Sequence, residues 1–405
     1  MNLVNNFFQK VSRKKESIFP RNYLAPPMRE FISKEVVFED NADRDIFFGY
    51  HDRTPFNTNS RFVLSHRSNK EKLDIGFFNM DDELPDFNFI SSSEAFSRQQ
   101  GTMLQWDYLH NTSSVNFNTC INGAYKNISI DTNNQSIISE INFPVYCISS
   151  DFKWALSCNF FQLAKQRPGY GIENSQVITK KDQHLDGIWI INRLTGDTQL
   201  LASYRDMLKD LPCDFSDNIY VNHLSFSPDT NTVAWFLINE KKPTRKIYFL
   251  SMCLDQKREI KNIESDRLIS HYCWVNNDVI LGINRDLDLN WNYSEYNLGN
   301  SSRIDLKINT GFDGHPMFNR HSNKIIIDST PDSKRYQHLL CYDWASKKMI
   351  QLDKLFTPKN FLGPDRCDLH PRWSPDSLMV SVDTPIRNKR CQKITILNKD
   401  ILQPL

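Results

Sequence analysis

Glycine is scarce in this sequence, 13 among 405 residues, and none of it builds a Gly-rich phosphate loop. A GxSxG elbow and an HExxH pair are also missing, so the motif-defined phosphate-binding, serine-hydrolase and HExxH zinc chemistries are excluded. There is no basic excess: 49 Lys+Arg face 48 Asp+Glu for a net charge of +1. That removes the main argument for a nucleic-acid partner, and no RNA-binding or deaminase signature occurs. No run approaches the ~18 apolar residues of a membrane span. The N-terminus, MNLVNNFFQKVSRKKESIFP, places its apolar patch before its basic run. A secretory signal has the reverse order, so a cytoplasmic location is expected. The nine cysteines are odd in number and irregularly spaced, unlike a disulfide framework. Several, such as Cys147 in PVYCIS and Cys158 in ALSCNF, stand in apolar runs where a free thiol packs as a small hydrophobe. What the chain does have is 40% hydrophobic and 12% aromatic residues with balanced charge, too apolar for a disordered chain.

It also has a repeat. An aromatic, a short polar turn and a β-rich run recur, most clearly at Phe226-Ser-Pro-Asp229 and Trp373-Ser-Pro-Asp376. Weaker copies begin at Pro55, Trp106, Ile148, Cys273 and Met317. An aromatic ends one strand, Ser-Pro-Asp or an Asn/Asp pair turns the chain, and a β-branched run returns. The copies lie about 40–55 residues apart, the spacing of propeller blades. One longer gap, between Ile148 and Phe226, holds a polar, Gly- and aromatic-containing stretch of the kind that carries function. The expected fold is all-β: a single seven-bladed β-propeller over residues 40–405, with a functional insertion between the third and fourth blades. Residues 1–39 form an N-terminal extension that wraps the outside or completes a blade. A large β-sandwich accounts for the recurrence less well.

Two constellations could carry chemistry. In Arg366-Cys-Asp-Leu-His-Pro-Arg-Trp, Cys367 and His370 are three apart at the start of a blade, and His271 and His315 stand at the equivalent point of earlier blades. Such positions converge on a propeller's channel, so His271, His315, Cys367 and His370 are candidate ligands for a divalent metal. Ligand softness favours zinc over manganese or calcium. Singly, each has a plainer explanation as a turn or core residue. The second constellation is FFGYHDRTPF with Tyr50 and His51, QQGTMLQW with Gln100, Gln105 and Trp106, QRPGYG with Arg167 and Tyr170, and VNHLSF with Asn222 and His223. Aromatic faces beside amide, guanidinium and imidazole groups suit a sugar. Blade packing explains Tyr50, His51 and Trp106 as readily.

Together FFGYHDRTPF, QQGTMLQW, LSCNFFQLAKQRPGYG, VNHLSFSPD, ISHYCW, DGHPMF and RCDLHPRWSPD resemble the seven-bladed propeller polysaccharide lyases. These are the ulvan lyases and their oligogalacturonate lyase relatives, and uncharacterised homologues accompany surface-polysaccharide gene sets. The resemblance runs from about Phe47 to Asp383. It implies β-elimination beside a uronic acid in an oligo- or polysaccharide. Tyr170 would be the acid or base, His223 a second proton-transfer or sugar-contacting group, and Arg167 the carboxylate partner. His51, Gln100, Gln105, Trp106 and Asn222 would contact sugar, and the Cys/His set would hold the metal. The chain departs from the ulvan lyases in the early blades, where Gln100, Gln105 and Asn116 replace histidines and only His110 is near. With the missing secretory signal, this supports a competing expectation: a non-lyase propeller in intracellular glycan assembly, binding glycan or catalysing another reaction. A protein-interaction propeller is the third, generic reading.

Overall fold

Three copies of the recurring phrase close their hairpins by the same local chemistry. In the Ser227–Asp229 turn, Ser227 Oγ donates to Asp229 Oδ1 at 2.6 Å and accepts from the Thr232 N–H at 2.9 Å, while Thr230 adopts a φ of 67°. Ser149 and Asp151 make the same pair of contacts at 2.6 and 3.0 Å, with Phe152 at φ 62°. Ser374 and Asp376 repeat it in the last copy, Ser374 Oγ accepting from Met379 N–H at 2.8 Å. A serine and an aspartate two apart therefore satisfy the turn's backbone donors without glycine.

In the computed structural model, residues 26–405 are described except 41, 43, 173–181, 183, 217, 241–244, 256, 287, 307 and 309. They form seven four-stranded antiparallel sheets, each a blade. The inner strands, in blade order, are Ile46–Phe47, Gln105–Asp107, Cys147–Ile148, Ile219–Phe226, Leu268–Trp274, Pro316–Asn319 and Arg372–Trp373. The chain is a seven-bladed β-propeller. Ile32–Phe38 pairs antiparallel with Lys389–Leu397 and supplies the outer strand of blade seven, so opposite ends of the described chain close the ring. Closure satisfies what would otherwise be an open sheet edge. Residues 1–25 of the N-terminal extension lie outside the described residues.

The core sits between neighbouring blades. Phe48, Leu64 and Ile75 of blade one pack with Trp106, Val115 and Phe117 of blade two, and Ile326 and Leu339 of blade six with Val380 and Val382 of blade seven. The insertion expected between blades three and four lies inside blade three, between Trp154–Ser157 and Gly187–Asn192. The turn phrase marks only the first hairpin of a blade, so a segment following the second strand belongs to that same blade. The insertion opens with helix α1 (Phe160–Gln166), capped by Asn159 Oδ1 accepting from Gln162 N–H at 2.9 Å. No helix among the described residues is long and apolar enough to cross a membrane.

Candidate functional site

The inner strands bring the histidines together. His271 lies at a register irregularity of Leu268–Trp274, and His223 at another in Ile219–Phe226, where its φ is 54°. His315 immediately precedes Pro316–Asn319 and His370 precedes Arg372–Trp373 with a φ of 43°, while His51 follows Ile46–Phe47. Left-handed backbone at a non-glycine residue is costly and persists where its surroundings over-determine it. Here it belongs to two imidazoles of one cluster. Ring centroids are 4.0 Å apart for His271 and His315, 4.4 Å for His315 and His370, 5.2 Å for His51 and His315, and 5.4 Å for His223 and His271.

Hydrogen bonding sets the tautomers. Carbonyl and carboxylate oxygens accept, so the ring nitrogens facing them carry protons. His370 Nδ1 donates to the Gly49 carbonyl at 2.9 Å, His51 Nδ1 to the Pro316 carbonyl at 3.0 Å, and His315 Nδ1 to Asp328 at 2.9 Å. Asp328 also accepts the backbone N–H groups of His315 and His370 at 2.6 and 3.0 Å, which ties blades six and seven together. The Nε2 atoms of His51 and His370 are left with lone pairs, and His370 Nε2 is buried without a hydrogen-bond partner among the described residues. Metal-binding histidines are commonly oriented this way.

Among the described residues, His315, Asp368 and His370 offer ligand atoms within 4.8 Å of one another, all buried. Burial would lower His315, but Asp328 and Asp368 raise it to about 9, so this point favours positive charge. Burial and the neighbouring imidazoles hold His51, His223 and His370 well below the usual range. Two imidazoles and a carboxylate around an orphaned nitrogen fit a divalent cation, whose binding would displace the His315 proton. His271 packs against His315, with its Nδ1 3.4 Å from Asp313. Cys367 is buried but outside this group; burial pushes its thiol up, and its carbonyl accepts from Gln337 Nε2 at 2.8 Å. The carboxylate next to it in sequence, Asp368, faces the histidines instead. The soft ligand behind the zinc preference is thus absent from the group, and its N/O donors suit manganese as well.

Tyr170 comes from the blade-three insertion and is buried. Gly169 and Gly171 flank it at φ 95° and 71°. A Cβ on Gly171 would stand 2.4 Å from the Phe160 carbonyl oxygen, so this close approach to α1 needs glycine. The Tyr170 hydroxyl accepts from Arg366 Nη2 at 2.8 Å, and the Arg366 and Arg167 guanidinium groups lie 5.5 and 5.4 Å from its ring centroid. Burial opposes ionisation, yet Arg366 and Arg167 outweigh it and lower the Tyr170 pKa. Tyr50 links this tyrosine to the histidines: its ring centroid is 5.8 Å from that of Tyr170, and its hydroxyl is 3.2 Å from His223 Nδ1.

The other candidates divide. Gln100 Nε2 donates to the Tyr146 hydroxyl at 2.9 Å, and that hydroxyl donates to Asn222 Oδ1 at 2.8 Å and accepts the His223 N–H at 3.0 Å. Gln100 and Asn222 are thus engaged in holding the His223 backbone. Trp106 packs between blades one and two and donates to the Pro55 carbonyl at 2.8 Å. Gln105 lines a cavity that also borders Tyr50, His51 and His223. Arg366, Asp368, Asp328 and Tyr146 belong to the site although the motif reading assigned them no role. Arg366 and Asp368 stood inside the quoted RCDLHPRW phrase; Asp328 and Tyr146 carry no local signature.

No protein-family model and no curated protein matches the chain. Solved structures do. An oligogalacturonate lyase from Vibrio parahaemolyticus superposes with TM-score 0.65 at 11% identity, covering 91% of this chain and 98% of that one. An oligogalacturonate lyase in complex with manganese gives TM-score 0.65 at 10% identity, over 92% of this chain and 100% of that one. A chain of the mitotic checkpoint complex gives 0.52 at 10% identity, over 94% and 99%. At these identities the likeness establishes the propeller and no more.

Proposed function

We propose that this propeller cleaves a uronic-acid-containing glycan by β-elimination at the axial site. The observation that carries the reading is Tyr170: a buried hydroxyl held by Arg366 at 2.8 Å, with its pKa lowered by two guanidinium groups, beside a Tyr50–histidine cluster. Support also comes from the fold shared with two oligogalacturonate lyases, one of them in complex with manganese.

In the reaction, Tyr170 as phenolate removes the proton from the carbon next to the uronate carboxylate. The electron pair forms the carbon–carbon double bond as the glycosidic C–O bond breaks, and Tyr170 returns its proton to the departing oxygen. One group serving both transfers leaves atoms and charge balanced. Arg366 stabilises the phenolate before the first transfer, and Arg167, beside the Tyr170 ring, would pair with the substrate carboxylate. His223, kept neutral and tied to Tyr50, accepts a sugar hydroxyl. A divalent cation held by His315, Asp368 and His370 would neutralise the uronate carboxylate and so acidify the adjacent C–H bond.

The test is incubation of manganese-loaded protein with a panel of uronic-acid oligomers and polymers, following ultraviolet absorbance of the unsaturated product. Activity on at least one member, abolished by Tyr170→Phe, is expected. Silence across a broad panel from folded, metal-loaded protein would overturn the reading.

A further inference from the structure

A second part of the axis has chemistry that the elimination does not use. A cavity of about 240 Å³ is lined by the far ends of the inner strands and the tight turns after them, including Ser150, Pro228 and Arg320. Tyr170, Arg366 and Asp368 are not among its walls, and the latter two precede their inner strand. Tyr50, His51 and His223 belong to both regions and divide them. The cavity therefore faces the turn side of the ring, away from Arg366 and Asp368.

The polar groups in its walls are unevenly matched. Asp52 is committed to Arg53, whose Nε and Nη2 donate to it at 2.9 and 2.8 Å. Ser225 Oγ accepts from Trp274 Nε1 at 2.9 Å and meets the Tyr272 hydroxyl at 2.8 Å. Two donors are left over. Gln105 Nε2 is buried with no hydrogen-bond partner, and Arg320 makes no hydrogen bond or ion pair among the described residues. Arg320 is partly desolvated, which lowers its pKa. Cys273 cannot compensate it, since burial pushes this thiol up to about 12 and keeps it neutral. A buried donor without an acceptor is costly, and an exposed guanidinium with no ion-pair partner is open to take an anion, so a ligand that supplies an acceptor to the first and a negative charge to the second is complementary to this cavity. Trp274 and Phe318 add apolar walls, so the complementary molecule carries a carboxylate on a ring with an apolar face.

We propose that this turn-side cavity is a second ligand site, for a small single-ring organic carboxylate paired with Arg320 and hydrogen-bonded by Gln105. The proposal is independent of the elimination reading. It is tested by isothermal titration of the full chain with D-galacturonate, D-galactose and inorganic phosphate, on wild type and on Arg320→Ala, Arg320→Lys, Gln105→Leu and Tyr170→Phe. Arg320 is exposed at the cavity mouth, so its replacement leaves the fold intact, as an unchanged melting temperature would verify. Galacturonate is expected to bind wild type at least about tenfold more tightly than Arg320→Ala, the scale of a charge-assisted hydrogen bond. Arg320→Lys should recover part of the loss, Gln105→Leu should weaken binding a few-fold, and Tyr170→Phe should leave it unchanged. Galactose should bind much more weakly than galacturonate. Equal affinity of wild type and Arg320→Ala would overturn the proposal. So would loss of binding in Tyr170→Phe alone, which places the ligand at the elimination site. Phosphate binding as tightly as galacturonate would equally overturn it, reducing the cavity to a bare anion site. Binding here without elimination, or elimination without binding here, separates the two readings.

Discussion

Replacing Asp383 by alanine should be among the most damaging single changes in the ring. Asp383 and Arg372 are almost wholly buried, their side chains 3% and 0% exposed. The carboxylate accepts from Arg372 Nη1 and Nη2 at 3.1 and 2.9 Å and from the Phe48 and Gly49 N–H groups at 3.0 and 3.1 Å. Arg372 in turn donates to the Tyr50 and Gly49 carbonyls. The pair thus fastens blade seven to the blade-one segment carrying Tyr50 and His51. Removing one member of a buried pair costs about 3–5 kcal/mol. The two orphaned N–H groups would add roughly 1–3 kcal/mol each if water could not reach them. Water entering the vacated space offsets part of this, so we expect a loss of about 4–6 kcal/mol, much of a typical domain's stability. Guanidinium chloride unfolding measures it. Asp383→Asn, which keeps an acceptor, should cost less. The double variant Arg372→Met/Asp383→Leu should be less destabilised than Asp383→Ala, because it leaves no uncompensated charge. Its manganese affinity should still fall, since the Gly49 carbonyl that orients His370 is no longer held. A cost below about 1 kcal/mol for Asp383→Ala would refute the reasoning.

Further expectations concern the site and the closure. Gly171→Ala should reduce elimination at least about tenfold while leaving α1 folded, because the new Cβ meets the Phe160 carbonyl and shifts Tyr170; steady-state kinetics with circular dichroism check this. Arg366→Gln removes the principal influence lowering the Tyr170 pKa. The base must be deprotonated, so the acid limb of the kcat/KM profile should move to higher pH, and an unmoved limb would exclude Tyr170 as the base. In chelator-treated protein, His315 has a folded-state pKa raised from 6.5 to about 9. Its stabilising contribution is full below pH 6.5 and lost as pH rises through about 9. The melting temperature should fall across that window, and Asp328→Asn should flatten the fall. Deleting residues 1–38 strips the outer strand from Lys389–Leu397; the product should melt earlier and self-associate by light scattering.

The turn phrase was readable because its chemistry is local. Ser227 and Asp229 need only each other and the next few backbone groups. The insertion was recognisable from its length but not its place, since nothing between Ser157 and Gly187 marks which blade owns it. In the site, His271, His315 and His370 were accessible because equivalent blade positions meet on the axis. Cys367 and Asp368 could not be told apart in the same way. Which of two adjacent side chains faces inward depends on the backbone around His370, whose left-handed φ of 43° is maintained by bonds to Asp328 and Gly49 from other blades. Trp106 and Gln100 shared one motif, yet the first packs between blades and the second braces Tyr146.

The sequence by itself determined an all-β chain of repeated hairpins, because each repeat carries its own turn chemistry and alternating strands. It also marked Tyr170, since two glycines in a glycine-poor chain are needed only where the backbone must take forbidden angles or approach another segment closely. Only the tertiary structure decided which groups share a site. Closing the ring brings Gly49, Tyr170, His223, Asp328 and Arg366 to one axis, and their tautomers and charges follow from partners distant in sequence. It also decided that Gln105 Nε2 and the Arg320 guanidinium lack partners among the described residues, because an unmet donor is a property of everything packed around it.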